Sequence, residues 1–361
     1  MNGRNRIDVV ERLEAAVAEE IRQGACSCSL RVSSPRHGFV WEGGAGSISR
    51  TDPTPVPVPV SFRIASVTKT FTAVIVMQLA LEGRLGLDDR VGPLLPDDIA
   101  ELLPRLHVLD GVSYGESITV RQLLRHSSGI FDFAASEGFF AALFRDPQHV
   151  WNPREPVEGA IEWGSPHFAP DRGYMYAYSD TGYVILGAMI QHLDGRPLHD
   201  SYRSRILEPL GLHDTYLEGF ETHRGPVLSH CFEGDHDAMQ IHGSADWAGG
   251  GLVSTPADLE VFATALLQGR LVPPSALETM LDYRFRTLDP ALHSPGFVGY
   301  GLGVEARECA GRMWRGHRGH WGVLMHIAPS DLSVITGTIN RSDRRPDELM
   351  AAAAHALAGL D

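Results

Sequence analysis

Two side chains that could carry out nucleophilic catalysis lie three residues apart in a strongly apolar segment. Ser66 and Lys69 stand at the start of a pattern that predicts a buried helix over 66–81, and this spacing places both on one helix face. A serine hydroxyl becomes a nucleophile when a neighbouring base takes its proton, and a desolvated, partly neutral lysine is such a base. The positive potential of the helix N-terminus would favour alkoxide character at Ser66. The pair is therefore a candidate nucleophile with its base.

The lysine content of the chain supports a chemical role for this residue. Lys69 is the only lysine among 31 basic residues, although lysine is normally common in proteins. An ammonium can lose its proton near neutral pH, whereas a guanidinium cannot. The structural alternative is that Ser66 caps the helix and Lys69 extends to solvent. A Schiff base on Lys69 is a further alternative, which the adjacent serine and the lack of a phosphate-binding motif disfavour.

A second element, residues 174–183, carries alternating tyrosines that lead into a predicted helix over 181–193. Tyr178 could share a proton with Ser66 and Lys69, and Asp180 could position Lys69. The alternative is that the tyrosines pack in the core and that Asp180 or Ser179 caps the helix.

A third element precedes a predicted strand over 323–328 and consists of Gly316, His317, Arg318, Gly319, His320, Trp321 and Gly322. Glycines beside a strand let backbone approach a ligand closely, and backbone N–H groups there could bind an oxyanion. The alternative is that these side chains line an edge strand or a seam between domains.

Charge and composition exclude several classes of function. The 361 residues are 43% hydrophobic, and 45 acidic against 31 basic residues give a formal charge of −14. This charge repels phosphate backbones and anionic lipids, so we expect neither nucleic-acid nor membrane partners. Residues 1–23 predict an amphipathic helix rather than a signal peptide, and a cytoplasmic location is expected.

The four cysteines and the histidines match no common metal site. Cys26, Cys28, Cys231 and Cys309 lack zinc-type spacing and are interpreted as packed thiols. The segment 230–236 with His242 is interpreted as a loop for the same reason. The sequence indicates no metal and no other cofactor.

The element pattern predicts an α/β protein of the α+β type. Helices are predicted over 1–23, 66–81, 119–124, 139–144, 181–193, 202–210, 256–268 and 348–357, and strands over 28–32, 38–41, 301–305, 323–328 and 333–340. Strands at both ends indicate one antiparallel sheet built from both termini and flanked by helices. We predict a sheet domain formed by 1–84 and 242–361 and a mostly helical insertion domain over 85–241, with the active site between them.

In this order the three elements resemble the serine β-lactamase and penicillin-binding-protein superfamily, which shares the Ser-x-x-Lys motif. The branch indicated contains class C β-lactamases, D-alanyl-D-alanine carboxypeptidases and family VIII esterases. Supporting segments lie at 118–124, 126–129, 210–212 and 249–255. The resemblance implies a β-lactamase/transpeptidase-like fold, with Ser66 as the acylated nucleophile, Lys69 as its proton partner and Tyr178 as general base. It also implies an oxyanion hole formed by the backbone N–H groups of Ser66 and His320.

Two positions depart from the pattern of the superfamily. Asp180 stands where the tyrosine motif usually has Asn, and His317, Arg318 and Gly319 replace the Lys-Thr-Gly triplet of β-lactamases. The histidine resembles certain carboxypeptidases and esterases, and Asp180 adds negative charge beside Lys69. Little hydrolysis of β-lactams is therefore expected.

The sequence favours a serine acyl hydrolase or acyltransferase that acts on a small ester, amide or D-configured peptide. Asp180, His317, Arg318, Gly319 and Trp321 are candidate substrate-binding or supporting residues. The alternative is a catalytically inert protein of this fold that binds a ligand or regulates. The expected partner is a small-molecule acyl substrate, and the oligomeric state is not indicated. An apolar or aromatic substrate is favoured by residues expected near the cleft, namely Phe131, Phe133, Tyr176, Trp247, His317, His320 and Trp321.

Overall fold

Helices and short strands alternate along the protein, which a computed structural model describes over residues 3–170, 175–231, 237–283, 286–287 and 294–360. The strands are β1 (Ser27–Ser34), β2 (Phe39–Gly46), β3 (Phe62–Arg63), β4 (Val108–Leu109), β5 (Val112–Ser113), β6 (Met175–Tyr176), β7 (Tyr216–Leu217), β8 (Leu252–Ser254), β9 (Arg286–Thr287), β10 (Phe297–Tyr300), β11 (Glu305–Cys309), β12 (Arg312–Gly319), β13 (Val323–Ile327) and β14 (Val334–Thr338).

The helices are α1 (Gly3–Arg22), α2 (Thr68–Leu81), α3 (Asp97–Ala100), α4 (Leu103–Leu106), α5 (Val120–Leu124), α6 (Glu137–Arg145), α7 (Arg154–Trp163), α8 (Asp180–Asp194), α9 (Leu198–Tyr202), α10 (Glu208–Leu210), α11 (Trp247–Gly250), α12 (Pro256–Leu267), α13 (Pro274–Met280) and α14 (Asp347–Ala358). A π-helical turn, Arg203–Leu207, joins α9 to α10.

An antiparallel sheet joins the two ends of the chain. In the described residues its seven strands run in the order β10-β11-β12-β13-β14-β1-β2. Strand β1 pairs with β14 on one side and with β2 on the other, so the N-terminal hairpin completes a sheet that the C-terminal strands begin. The predicted fold class is confirmed by this arrangement.

Both faces of the sheet are covered, because alternate side chains enter two different cores. On β13, Leu324 packs with residues of α1 and α14, whereas Val323 and Met325 pack with residues of α2 and α12. Helix α2 is buried almost all round, and its Phe71 stacks on Phe262 of α12 with ring centroids 3.6 Å apart. The predicted central helix is therefore held between the sheet and the remaining helices.

The mostly helical middle of the chain is connected to the segment that carries Ser66. Helices α3 to α10 all lie within the predicted insertion, 85–241. A small sheet of order β3-β8-β7 ties this segment to the residues around Ser66, since β7 and β3 both pair with β8. The exact domain boundaries stay a prediction.

Two sequence predictions about the sheet are wrong. Residues 301–305 are not one strand, because Gly301 to Val304 form the turn of a hairpin between β10 and β11, where Gly303 has a φ of +74°. Strand β12 was not predicted, and it lies inside the sheet rather than at its edge. Its arginines and glycines are rare in interior strands, but Arg318 is paired there with Glu305.

The cysteines agree with their interpretation as thiols. All four cysteines are free thiols, with Cys28 and Cys231 buried. In the described part of the chain, no helix combines the length and the apolar character needed to cross a bilayer.

Replacing Gly337 by alanine should destabilise the fold. Gly337 lies within β14, where a Cβ atom would come 2.2 Å from the carbonyl oxygen of Ser29 on β1. Since this neighbour is backbone, the strands must separate, and overpacking of this kind costs about 1–3 kcal/mol. We expect a loss in the free energy of unfolding near the upper value, measured by urea denaturation.

Gly311→Ala is the matched control. Gly311 has a φ of +69° in an exposed turn, and a Cβ atom added there would meet no other atom within 4 Å. Only the backbone preference is therefore lost, at about 1 kcal/mol. Equal losses for the two variants would contradict the close strand contact.

Candidate active site

A tight turn in front of α2 presents Ser66. Residues Ala65–Val67 form a 3-10 turn, so Ser66 precedes the helix instead of lying in its first turn as predicted. Ala65 has a φ of +45°, a left-handed conformation that costs energy for a residue with a side chain. This turn leaves Ser66 partly exposed on a cleft while the residues on either side of it are buried.

Strand β12 closes on this turn because Gly319 has no side chain. A Cβ atom on Gly319 would lie 2.4 Å from the carbonyl oxygen of Ile64 and 3.2 Å from Cβ of Ala65. The sequence predicts that these glycines admit a ligand; at Gly319 the close neighbour is instead the backbone that carries Ser66. This contact places the end of β12 beside Ser66, the candidate nucleophile. It also places His320, the next residue, there.

Lys69 is fully buried and its amine meets three acceptors. Its Nζ donates to Ser66 Oγ at 3.0 Å and to the carbonyl oxygen of Gly249 at 2.8 Å, and it forms a direct ion pair with Asp180. Three acceptors match the three N–H donors of an ammonium. The structure therefore shows the arrangement of a charged lysine held by a carboxylate, whereas the sequence predicts a partly neutral amine.

Gly249 is required for this arrangement. A Cβ atom at this position would lie 2.8 Å from Oδ1 of Asp180 and 3.6 Å from Nζ of Lys69. The short helix α11, which no sequence pattern predicted, thus brings a bare backbone carbonyl against the ammonium. In the sequence, the glycines of 249–251 stand out only as part of a supporting segment.

Tyr178 lies over the same ammonium. Nζ of Lys69 is 4.8 Å from the centroid of the Tyr178 ring and 5.5 Å from that of Tyr183. Burial and then the charge of Asp180 raise the pKa of Tyr178 well above 10, and the nearby Ser66 side chain offsets part of that rise. The hydroxyl makes no hydrogen bond of regular geometry among the described residues. Tyr178 is therefore a neutral phenol beside Ser66.

His317 and Arg318 of β12 are tied to protein groups. Nε2 of His317 meets the Tyr300 hydroxyl at 2.8 Å, and Nδ1 lies 2.6 Å from the carbonyl oxygen of Arg318. Burial lowers the pKa of His317 to about 4, so its imidazole is neutral at pH 7. The Arg318 guanidinium donates to Glu305 at 3.1 Å and to Asp347 at 3.4 Å. The cation at this position is thus neutralised by two carboxylates.

The last two predicted residues form the rim of the cleft. His320 is exposed, and Trp321 is buried with its ring centroid 4.8 Å from that of His320. Both line the cleft, as do Ser66, Tyr178, Asp180, His317, Arg318 and Gly319, so the structure brings the predicted site residues to one place, with Lys69 beneath them.

The cleft has a volume of about 910 Å3 and a mixed lining. Its apolar residues include Phe131, Phe139, Phe140, Leu143 and Ile241. Phe131, Tyr176, His317, His320 and Trp321 line the cleft as expected, but Phe133 and Trp247 do not and lie in the core.

Two carboxyl groups of the lining were missed by sequence reasoning. Asp132 and Asp246 line the cleft, and neither is in an ion pair within the described residues. Burial and the charge of Asp180 raise the pKa of Asp132 to about 8 and that of Asp246 to about 6. No spacing in the sequence connects these residues to Ser66, because the fold alone brings 132 and 246 to the same cleft.

The remaining candidates from the sequence are Tyr174 and the segment considered for metal binding. Tyr174 and 232–236, which include most of the rejected metal-binding segment, lie outside the described residues. Where side chains are described, no group of three His, Cys, Asp or Glu residues is arranged to hold a metal ion.

A Ser-x-x-Lys pair at the head of a buried helix, facing a tyrosine loop and an antiparallel strand, defines the β-lactamase/transpeptidase-like fold. The chain belongs to the beta-lactamase family, whose model matches residues 35–360. A solved D-stereospecific amidohydrolase from Streptomyces sp. superposes with a TM-score of 0.81 at 28% identity, covering 95% of this chain and 98% of that one.

Curated relatives show the same family with different activities. Penicillin-binding protein 4 of Amycolatopsis lactamdurans is 34% identical over 48% of this chain and 40% of its own length. Esterase EstB of Burkholderia gladioli is 28% identical over 61% of this chain and 54% of its own. The matched region thus spans about half or less of the length of these relatives.

Removing the carboxylate partner of Lys69 should destabilise the protein strongly. Asp180→Ala leaves a fully buried ammonium without its counter-charge, and breaking such a pair costs about 3 kcal/mol or more. Asp88→Ala is the control, since Asp88 is 74% exposed in its ion pair with Arg121 and should cost about 1 kcal/mol or less. Urea denaturation measures both losses, and similar values would contradict a buried, charged Lys69.

Proposed function

We propose that the protein is a serine acyl hydrolase or acyltransferase that works through an acyl-enzyme at Ser66. The observation that carries this proposal is the contact of Lys69 Nζ with Ser66 Oγ, at 3.0 Å, under the Tyr178 ring at the floor of an apolar-walled cleft. Nucleophile, proton partner and phenol are the groups that acyl transfer needs.

The hydrogen bonds indicate how the proton of Ser66 would move. Because Ser66 Oγ accepts from Lys69, its own O–H is free to point towards Tyr178. As Oγ attacks the substrate carbonyl, its proton passes to the Tyr178 oxygen, and the Tyr178 proton passes to the leaving group. The C–O bond to Ser66 forms as the bond to the leaving group breaks. Lys69 stays charged and stabilises negative charge at Oγ.

Deacylation would reverse this path with water or another acceptor. An incoming water gives its proton to Tyr178 while the Tyr178 proton returns to Oγ of Ser66, and the acid is released. An alcohol or amine in place of water would give acyl transfer. The backbone N–H groups of Ser66 and His320 are the proposed oxyanion hole, a role supported by the close packing of Gly319 on the Ser66 turn.

The walls of the cleft support a substrate class. The aromatic part of the lining fits an apolar acyl or side chain, and Asp246, which is ionised above about pH 6, fits a positively charged amine. The name of the Streptomyces relative, a D-stereospecific amidohydrolase, supports a D-configured amide or peptide, and that of the Burkholderia relative supports an ester. We therefore propose a small ester, amide or D-configured peptide, with a free amine preferred. A cytoplasmic location and a single small-molecule partner are part of the same proposal.

The second candidate is an inert ligand-binding protein. The observation that favours it is the ion pair of Lys69 with Asp180, since a lysine held charged in this way does not act as a base for Ser66. In that case the cleft would bind acyl compounds without forming a bond to Ser66.

Loss of the Ser66 hydroxyl should abolish acyl transfer. Single-turnover reaction of Ser66→Ala with a chromogenic short-chain ester is expected to be slower than wild type by about 1,000-fold or more, because no other nucleophile takes its place. Retained activity in this variant would remove the proposed function.

Mass spectrometry separates the enzyme from the inert alternative. After incubation with a fluorophosphonate, wild-type protein should gain one adduct on Ser66 and Ser66→Ala none. An unlabelled wild-type protein that is nevertheless stabilised by the ester against unfolding would favour the binding protein.

Substrate binding should depend on pH only when the substrate carries an amine. Asp246, with a pKa raised to about 6 by burial, faces Asp180, Lys69, Arg63 and Glu218. It becomes negatively charged as the pH rises through 6, whereas an aminoacyl ester keeps its ammonium below about pH 7.7. KM for a D-phenylalanyl ester should therefore fall about fivefold between pH 5 and 7.

The 3-phenylpropionyl ester, which lacks the amine, is the control substrate, and its KM should stay constant over the same range. In Asp246→Asn the fall in KM for the amine-bearing ester should disappear. If KM changed with pH in the same way for both esters in wild-type protein, recognition of the amine by the Asp246 carboxyl would be excluded.

A further inference from the structure

We infer that His126 is a positioning residue that fixes Tyr178 over Ser66 and Lys69, an inference that rests on the proposed function. His126 belongs to the loop that follows α5 and has not been used in the mechanism above. It does not line the cleft, and it is 1% exposed. Two of its hydrogen bonds and two of its ring contacts are with the segment 176–179.

His126 accepts two hydrogen bonds from the residues on either side of Tyr178. The carbonyl oxygen of His126 accepts from the backbone N–H of Ala177 at 2.9 Å, and its Nδ1 accepts from the backbone N–H of Ser179 at 3.1 Å. Residues on both sides of Tyr178 are thereby tied to one residue. Residues 177–179, between β6 and α8, pair with no neighbouring strand in the described part of the chain. The two bonds to His126 therefore set the position of the Tyr178 backbone.

The imidazole also supports the ring of Tyr178. The two ring centroids are 4.2 Å apart with planes tilted by 32°, and Tyr300 lies 4.8 Å from the imidazole centroid. Tyr178 is therefore fixed by its backbone and by contact along its ring. A phenol that must exchange protons with Ser66 loses rate when it is misplaced by a fraction of an ångström.

His126 holds this position at a cost to the fold. Its φ is +58°, a left-handed conformation that is uncommon for histidine. Because Nδ1 accepts from Ser179, the proton of the neutral ring is on Nε2, and that buried N–H has no partner of regular geometry among the described residues. Strain and an unsatisfied donor at one residue persist where they serve a site.

The test uses His126→Asn, because asparagine tolerates the left-handed conformation and removes the ring. We expect kcat for the chromogenic ester to fall about 10- to 100-fold while KM changes less than about twofold. His355→Asn, the same substitution on the exposed face of α14, should leave both constants unchanged. An unchanged kcat in folded His126→Asn would overturn the inference, as would a rise in KM without a fall in kcat.

A pH profile distinguishes positioning from general loss of structure. The titratable groups around Tyr178 are Lys69, His126, Asp132, Tyr176, Asp180 and Tyr300. Burial is the main cause of the raised pKa of Tyr178, so water admitted by His126→Asn should lower that pKa towards 10. The alkaline limb of kcat/KM should then move to lower pH, since a phenolate cannot give its proton to the leaving group. An unmoved limb in an impaired variant would count against the inference.

A double-mutant cycle tests whether His126 acts through Tyr178. In a Tyr178→Phe background, His126→Asn should have little further effect on the rate of fluorophosphonate labelling, whereas independent effects that multiply would overturn the inference. If His126→Asn does not fold, His126→Gln is measured in its place under the same criteria. If the wild-type protein is not labelled, the proposed function itself is refuted. If wild type and His126→Asn are labelled at the same rate, only the role of His126 is refuted.

Discussion

The site depends on the burial of one ammonium. Lys69 is removed from water at the head of α2, and a charge in this position is tolerated only when its hydrogen bonds and its counter-charge are supplied by the protein. Asp180 supplies the charge, Gly249 a carbonyl oxygen and Ser66 a hydroxyl oxygen. These three groups come from distant parts of the chain, so satisfying the lysine also assembles the nucleophile with the tyrosine loop and α11.

The sheet serves this arrangement by bringing β12 against the Ser66 turn. β12 lies inside the sheet, where it pairs with β11 on one side and with β13 on the other. Gly319 then allows contact with Ile64 and Ala65 that any side chain would prevent. The strained turn at Ala65 is held between this strand and α2 and needs no support from its own sequence.

Local sequence patterns predicted much of this architecture, and their failures have physical causes. Ser66 and Lys69 were found because helical spacing is a short-range property, and α8 and α12 because their apolar patterns and caps are local. Strand β12 was missed because its charged residues are neutralised by Glu305 and Asp347, which no local pattern reveals. Asp132, Asp246 and His126 were missed for the same reason, since their roles arise from contacts across the fold. Of the three partners of the Lys69 amine, Ser66 and Asp180 were predicted from the sequence, whereas the carbonyl oxygen of Gly249 became visible only in three dimensions.

Two cations on the cleft are already engaged by carboxylates of the protein. At the position of the Lys-Thr-Gly triplet, Arg318 is engaged by Glu305 and Asp347, and the neighbouring His317 is neutral. Arg63, a further cation on the cleft, donates to Glu218 and to two carbonyl oxygens. A substrate carboxylate would therefore have to displace an existing carboxylate to reach either guanidinium. Penicillins and peptides with a free C-terminus carry such a carboxylate, whereas esters and amides of amino acids carry an ammonium instead. The carboxyl of Asp246, which is ionised at pH 7 because its pKa is raised only to about 6, lies on the cleft where the proposed ammonium could bind, near a Ser66 and Lys69 pair that the rest of the fold keeps intact.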